Sequence, residues 1–180
     1  MAEGCIYIYT GDGRGKSPAA IGRAVQAAVE GKRVVIIQFL KGKGLGDSDF
    51  LRRMEPEIKL FRFEKSDGNF VELPEEKKQE EIQNIRNGIG FAKKVLTTGE
   101  CDLLILDDLG SEFTSPFIQA ALYEVVNTRL VEDKHTVISS NLSLDAIRQR
   151  YSPQVASRLE GEYLPLGFFG KDIRLLKKQR

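Results

Sequence analysis

The sequence predicts an α/β protein: a doubly wound, mainly parallel sheet with helices on both faces. Three observations predict it. Continuous apolar runs of strand length alternate with stretches of helical periodicity, the pattern of a sheet covered on both sides. The first run, Cys5-Ile6-Tyr7-Ile8-Tyr9, leads directly into the glycine-rich turn Gly11-Asp12-Gly13-Arg14-Gly15-Lys16-Ser17 and then into a helix. A later run, Leu103-Leu104-Ile105-Leu106, ends in the paired acids Asp107 and Asp108. At 180 residues the chain suits a single domain, residues 1–180, with room for a proper core.

Taken in order, Pro18 fits the first turn of the helix after the glycine-rich loop, where its missing N–H costs nothing. Ala20, Ile21, Ala24, Val25 and Ala28 recur at helical spacing up to Gly31, a helix-ending residue. Arg33 to Leu40 is a buried strand, followed by a glycine-lysine loop from Lys41 to Gly46 at its carboxyl end, the edge where open α/β sheets bind ligands. Ile58 to Phe63 reads as a short strand. Pro74 opens a long helix with Ile82, Ile85, Ile89, Ala92 and Leu96 on one stripe and Gly99 at its end; its start, Glu75 to Glu81, reads as a solvated charged turn. Cys101 to Asp108 is the next strand. Ser115 caps a helix with Pro116 at its first position and a core face of Phe117, Ala121, Leu122, Val125 and Val126. Thr136 to Asn141 is a further buried strand, Ser143 caps the helix after it, and Pro153 breaks or kinks that helix. Tyr163 to Phe169 and Asp172 to Leu176 read as two closing strands.

The chemistry concentrates in the loop and the acidic strand. Glycines let backbone N–H groups converge on phosphate oxygens, and the following helix adds its positive end. Gly11, Asp12, Gly13, Arg14, Gly15, Lys16 and Ser17 are therefore the predicted nucleotide-binding set, the signature of a P-loop NTPase fold. Lys16 would reach the terminal phosphates, and the Ser17 hydroxyl would complete the coordination of Mg²⁺. The loop is short: three residues separate Gly11 from the Gly-Lys pair, and a regular spacing would begin at Thr10. Asp107, a hard oxygen donor at the end of a Walker B-like strand, would hold Mg²⁺ through water, and Asp108 would orient an attacking water. In folds of this kind another strand lies between the loop strand and the acidic strand. Cys5 and Cys101 are thus expected on non-adjacent strands, as reduced thiols beyond disulfide reach. The only histidine, His135, opens a strand and cannot build a metal site alone.

Composition narrows the partners. Lys and Arg total 27 against 26 Asp and Glu, a net charge of +1, which gives no global reason to expect nucleic acid or membrane binding. The basic stretch from Lys171 to Arg180 reads as a solvated end. No apolar run is long enough to span a bilayer and Met1-Ala2-Glu3 lacks the regions of a signal peptide, so a cytoplasmic protein is expected.

Two family resemblances share the chain. Residues 4 to about 100 resemble the BtuR/CobA-type ATP:corrinoid adenosyltransferases, through Tyr9 to Ser17, Arg23-Ala24 and Gly31 to Gly42. The shortened loop and the Gln38-Phe39-Leu40-Lys41-Gly42 run are shared with that family. This resemblance implies transfer of the adenosyl group of ATP to reduced cobalt in a corrinoid, with release of triphosphate. Residues from about 101 to 180 resemble the AAA+ ATPase domain of DnaC-type helicase loaders. The carriers are Leu103 to Gly110, Asn127-Thr128-Arg129, Ile138 to Ser143, Tyr151 with Ala156 to Leu159, and Phe169 to Arg174. That resemblance implies Asn141 as a sensor of the terminal phosphate, Arg158 as an arginine finger acting in a neighbouring subunit of a homo-oligomer, and Arg174 as a further sensor. The two meet in or beside the acidic strand, the pattern of a recombinant of two P-loop families. The amino-terminal family then lacks its own carboxyl half, and the loader family lacks its helicase-binding region and regular loop.

Three readings follow. The first is a P-loop protein binding ATP and Mg²⁺ with residual adenosyltransferase activity and a corrinoid substrate. The second is a helicase-loader-type ATPase acting on nucleic acid or a helicase, with Lys16, Asp108, Asn141 and Arg158 as the catalytic set. The third is a folded scaffold that holds ATP without turnover.

Overall fold

The computed structural model describes residues 6–39, 53–62, 73–110 and 116–170. Their elements run β1 (Ile6–Thr10), α1 (Lys16–Val29), β2 (Val34–Gln38), β3 (Ile58–Arg62), α2 (Glu75–Thr97), β4 (Leu103–Leu109), α3 (Pro116–Val131), β5 (His135–Ser140), α4 (Leu144–Arg150), α5 (Pro153–Glu162) and β6 (Leu164–Gly167). The strands form one sheet in the order β3-β2-β4-β5-β1-β6, and every pairing is parallel. The expected α/β architecture is thus present. As expected, β5 lies between the loop strand β1 and the acidic strand β4. Cys101 is a buried free thiol whose Sγ donates to the Leu103 carbonyl at 3.2 Å.

Helices cover both faces, but unequally. On one side α1 lays Ala20, Ala24 and Ala27 over Val34, Ile36, Ile58, Leu103, Ile105 and Val137. On the other, α2 to α5 bury Ile85, Ile89, Ile118, Leu122, Ile147 and Val155 among others against Val35, Ile37, Leu104, Leu106 and Ile138. The alternation along each strand feeds the two cores in turn. Ser143 caps α4 as expected, its side chain accepting from the Ala146 N–H, and the helix stops before Pro153, which opens α5 behind a second cap at Ser152.

Side-chain placement corrects the expectation at four points. Phe117 is 47% exposed beneath the Arg86 guanidinium, and Ile118, at 2%, takes its place in the core of α3. One residue along a helix rotates the side chain by roughly 100°, enough to move it off the buried stripe. Ala27, not on the expected stripe, is the buried residue at this end of α1, while Ala28 is half-buried against the same core. Ile82 of the α2 stripe is only half-buried. Glu81 is 1% exposed, so the acidic start of α2 is not wholly solvated. Cys5, Leu40, the Lys41–Gly46 loop, Phe63, Ser115, Asp172 to Leu176 with Arg174, and the Leu96 side chain lie outside the described residues.

Candidate functional site

β1 delivers the chain to the carboxyl edge of the sheet, where it turns through Gly11 and Gly15 at φ 103° and 105°. These left-handed values cost a glycine little and any larger residue a good deal. Gly15 then stands at the N-cap of α1, so the positive end of the helix adjoins the loop. Lys16 folds back into the loop: its Nζ donates to the carbonyls of Gly11 at 2.6 Å and Gly13 at 2.7 Å, and the residue is 6% exposed. Ser17 follows on the first turn, half-buried, while Asp12 and Arg14 stand exposed on the crown of the loop.

The strand expected over Tyr163 to Phe169 is β6, and the residues after it close over this loop, a contact the sequence did not signal. After β6, the Phe168 N–H donates to the Thr10 carbonyl at 2.8 Å, and the Phe168 carbonyl accepts from the Gly13 N–H at 2.8 Å. A Cβ added at Gly11 or at Gly13 would lie 2.5 Å from the Phe168 carbonyl oxygen. Two glycines of the motif therefore also admit a neighbouring backbone. The Phe168 ring completes the clasp by packing 5.3 Å from the Tyr9 ring.

The acidic pair sits on a bulge. Leu106 pairs with Ile138 and Leu109 with Ser140, so β4 spends one more residue than β5 over the same span. Asp108 takes up the excess at φ 67°, a value that aspartate tolerates better than most residues. The two carboxylates consequently part company. Asp107 points inward, 1% exposed, with Oδ2 accepting from Gln38 Nε2 at 2.8 Å and Oδ1 accepting from the Ser139 hydroxyl. Asp108 is half-buried at the rim; its N–H donates to Ser139 Oγ at 3.0 Å, and its Oδ1 accepts from Asn141 Nδ2 at 2.8 Å. Gly110, at φ 99°, keeps the exit from β4 clear of Leu142, whose Cδ1 would be 2.6 Å from an added Cβ.

The structure thus brings Lys16 together with Gly11 and Gly13, and Asp108 together with Asn141. Arg158 stands apart. It lies half-buried on α5, which packs on α3 and α4, and shares no hydrogen bond or ion pair with the loop or the acidic pair among the described residues. The sequence reading missed Ser139 and Gln38 as partners of Asp107. Their signal was two polar residues closing otherwise apolar buried strands. Among the described residues no three His, Cys, Asp or Glu side chains gather as a metal cluster. A divalent cation beside Asp107 would therefore take most of its ligands from phosphate and water, which is the habit of Mg²⁺. No described helix is long and apolar enough to cross a membrane.

A parallel sheet whose first strand opens into a glycine loop, with a lysine folded into that loop and an acidic strand two places away, defines a P-loop nucleotide-binding protein. The chain belongs to the ATP:corrinoid adenosyltransferase BtuR/CobO/CobP family, whose model matches residues 2–142. It is 29% identical to the corrinoid adenosyltransferase of Escherichia coli (strain K12) over 108 residues, 59% of this chain and 52% of that protein. It is 49% identical to corrinoid adenosyltransferase CobA of Salmonella typhimurium over 40 residues, 22% of this chain and 20% of that protein. The chain spans about half the length of the Escherichia coli relative. Its fold is also that of AMPPCP-bound DnaA from Aquifex aeolicus, which superposes on 98% of this chain and 44% of its own, with a TM-score of 0.52 at 20% identity. At that identity the likeness is one of fold. The predicted resemblance to the adenosyltransferases is therefore found in sequence, and the second resemblance is met at the level of fold. The family match continues through Leu142, beyond the acidic strand.

Proposed function

We propose that this protein binds ATP with Mg²⁺ in the loop from Gly11 to Ser17 and retains the adenosyl-transfer chemistry of its family. The observation that carries the reading is Lys16, buried in the loop with its ammonium on the Gly11 and Gly13 carbonyls. A cation there, beside the positive end of α1, meets the charge of a polyphosphate. In adenosyl transfer the triphosphate is the leaving group, so the same groups stabilise the charge that grows as it departs. Ser17 and Asp107 would flank the Mg²⁺, the latter through water. The corrinoid would be the acceptor.

A second reading is ATP hydrolysis in the manner of a helicase-loader ATPase, acting on nucleic acid or a helicase. The hydrogen bond from Asn141 to Asp108 favours it, since it joins a candidate phosphate sensor to the carboxylate that would orient water. On that reading Arg158, placed away from its own loop, would serve a neighbouring copy in a homo-oligomer. Both readings treat residues 1–180 as one domain of composite ancestry, with the two inheritances overlapping across β4 and β5. A scaffold that holds ATP without turnover is the limiting case. A cytoplasmic location fits each.

Product analysis separates them. Incubation with ATP and Mg²⁺, with and without a reduced corrinoid, is expected to release triphosphate only when the corrinoid is present. ADP and phosphate lost in Asp108→Asn would establish the second reading instead, because asparagine keeps the left-handed backbone but not the carboxylate. Intact bound ATP would leave only the scaffold. Lys16→Ala should weaken ATP binding by about 100-fold on every reading, as expected for losing a charged hydrogen-bond donor to phosphate. Unchanged affinity would refute nucleotide binding at this loop.

A further inference from the structure

Asp107 is held by a chain of side chains that reaches the edge of the sheet. Gln38 ends β2, 2% exposed, at the register position that pairs with Asp107 on one side and with Arg62 of β3 on the other. Its Nε2 donates to Asp107 Oδ2 at 2.8 Å, and its Oε1 accepts from Arg62 Nε at 2.9 Å. A guanidinium only donates and an ionised carboxylate only accepts. The amide between them therefore has one stable orientation. Reversed, it would set NH₂ against the guanidinium and oxygen against the carboxylate. Arg62 thus fixes the face of Gln38, and Gln38 together with Ser139 fixes the plane of the Asp107 carboxylate.

We propose that Gln38 and Arg62 are positioning residues for Mg²⁺: they set the orientation of Asp107 and so tune metal affinity without touching nucleotide or metal. This rests on the reading of Asp107 as the residue that meets the metal's water shell. A carboxylate free to rotate would pay orientational entropy on each binding event, whereas one held on both oxygens presents the same lone pairs each time. Residues that orient a metal's direct ligand typically change metal affinity by about 10–100-fold when removed, so residues acting through Asp107 and a bound water are expected at the low end of that range.

The test measures ATP binding by the full chain calorimetrically, first in EDTA and then across a Mg²⁺ titration. Gln38→Met keeps the side chain's length and adds no charge but can neither donate to Asp107 nor accept from Arg62. It should leave metal-free ATP affinity unchanged and raise the Mg²⁺ midpoint about tenfold. Arg62→Met, which frees the amide to flip, should move the midpoint in the same direction by less. Asp107→Asn reports on the underlying reading. If it shifts the midpoint while Gln38→Met does not, the positioning role is overturned and the metal role of Asp107 survives. If Asp107→Asn leaves the midpoint unmoved, the metal reading fails and this inference with it. Loss of metal-free ATP binding in Gln38→Met would mark Gln38 as merely structural and also overturn the proposal. Should that variant not fold, Arg62→Met decides alone: a raised midpoint supports the relay and an unchanged one refutes it.

Discussion

At the amino end of the sheet a buried cation is satisfied by carbonyls; at the carboxyl end a buried anion is satisfied by an amide and a hydroxyl. Arg129, 1% exposed near the end of α3, donates to Thr136 Oγ1 at 3.2 Å, the Cys101 carbonyl at 2.9 Å, the Asp102 carbonyl at 3.1 Å and the His135 carbonyl. Its acceptors are largely backbone groups at the partly to fully buried starts of β4 and β5, which must find a donor somewhere. Asp107 is different. Its partners are side chains contributed by two other strands at positions where an apolar residue would pack as well. The first network solves a problem the fold creates. The second creates a problem of its own, a buried carboxylate, which on the proposed function a bound ligand offsets. The comparison teaches that burial and full hydrogen bonding do not by themselves separate structural from functional polarity. What separates them is whether the partners would need satisfying anyway.

Removing Arg129 should break the amino end without reaching the loop, and it is the largest effect expected. Arg129→Met fills the volume but strands several buried acceptors, at roughly 1–3 kcal/mol for each group left unmet. A net loss of about 4 kcal/mol is expected, read as a lower urea midpoint. Arg129→Lys restores the charge but not the planar fork, and should recover less than half of that loss. Under conditions where the variants remain folded, ATP affinity should equal that of the parent. A weaker nucleotide affinity in folded Arg129→Met would show the two ends to be coupled.

A smaller effect is expected at the loop, where structural and functional demands overlap. Gly13→Ala would force a methyl group to within 2.5 Å of the Phe168 carbonyl oxygen, against backbone that cannot swing aside. The expected cost is about 1–3 kcal/mol of stability, as for overpacking elsewhere, together with loss of the Gly13–Phe168 hydrogen bond. Gly22, exposed on α1 with no atom within 4 Å of an added Cβ, provides the contrast. Gly22→Ala should stabilise the protein by about 0.5–1 kcal/mol through helix propensity alone. If thermal melting shows both variants equally stable, the clasp over the loop has no energetic weight.

The frame of the molecule was legible in the sequence because it is written locally. Apolar runs, helical stripes, the Ser143 cap and the glycine loop each declare themselves within a few residues, and β1, β2, β4 and β5 lie where those signals put them. The partnerships were not legible, because they join distant positions. Gln38 lies 69 residues from Asp107, and Arg129 lies 28 from Cys101. Neither residue type predicts its partner, and a polar residue at the end of a strand reads equally as exit into solvent. The bulge at Asp107 and Asp108 was hidden for the same reason: it exists only in the register of β4 against β5. Phe117 failed on a smaller scale, because a single step at a helix start decides which side chain meets the sheet.

The smallest expected effect returns to the amino end and asks whether its cations leave a mark on pH dependence. His135 opens β5 beside a cavity of about 160 Å³ lined by Tyr7, Arg23, Glu30 and Lys32. Burial lowers its pKa below the ordinary 6.5, and the charges of Lys32 and Arg129 lower it further, while Asp133 and Glu30 oppose them. The unfolded chain therefore takes up this proton at a higher pH than the folded one. Stability from the neutral imidazole is complete above about pH 6.5 and declines as the pH falls through that value towards the folded pKa. His135→Gln should flatten that part of the profile when urea midpoints are compared between about pH 7.5 and 5.5. Asp102 provides the internal control. Burial alone would raise its pKa, but the N–H and guanidinium of Arg33 bring it below 3.8, so its contribution persists to much lower pH and is lost only on strong acidification. A slope near neutrality that survives unchanged in His135→Gln would have to come from groups elsewhere, and the cations gathered at this end would then leave no trace in the stability of the fold.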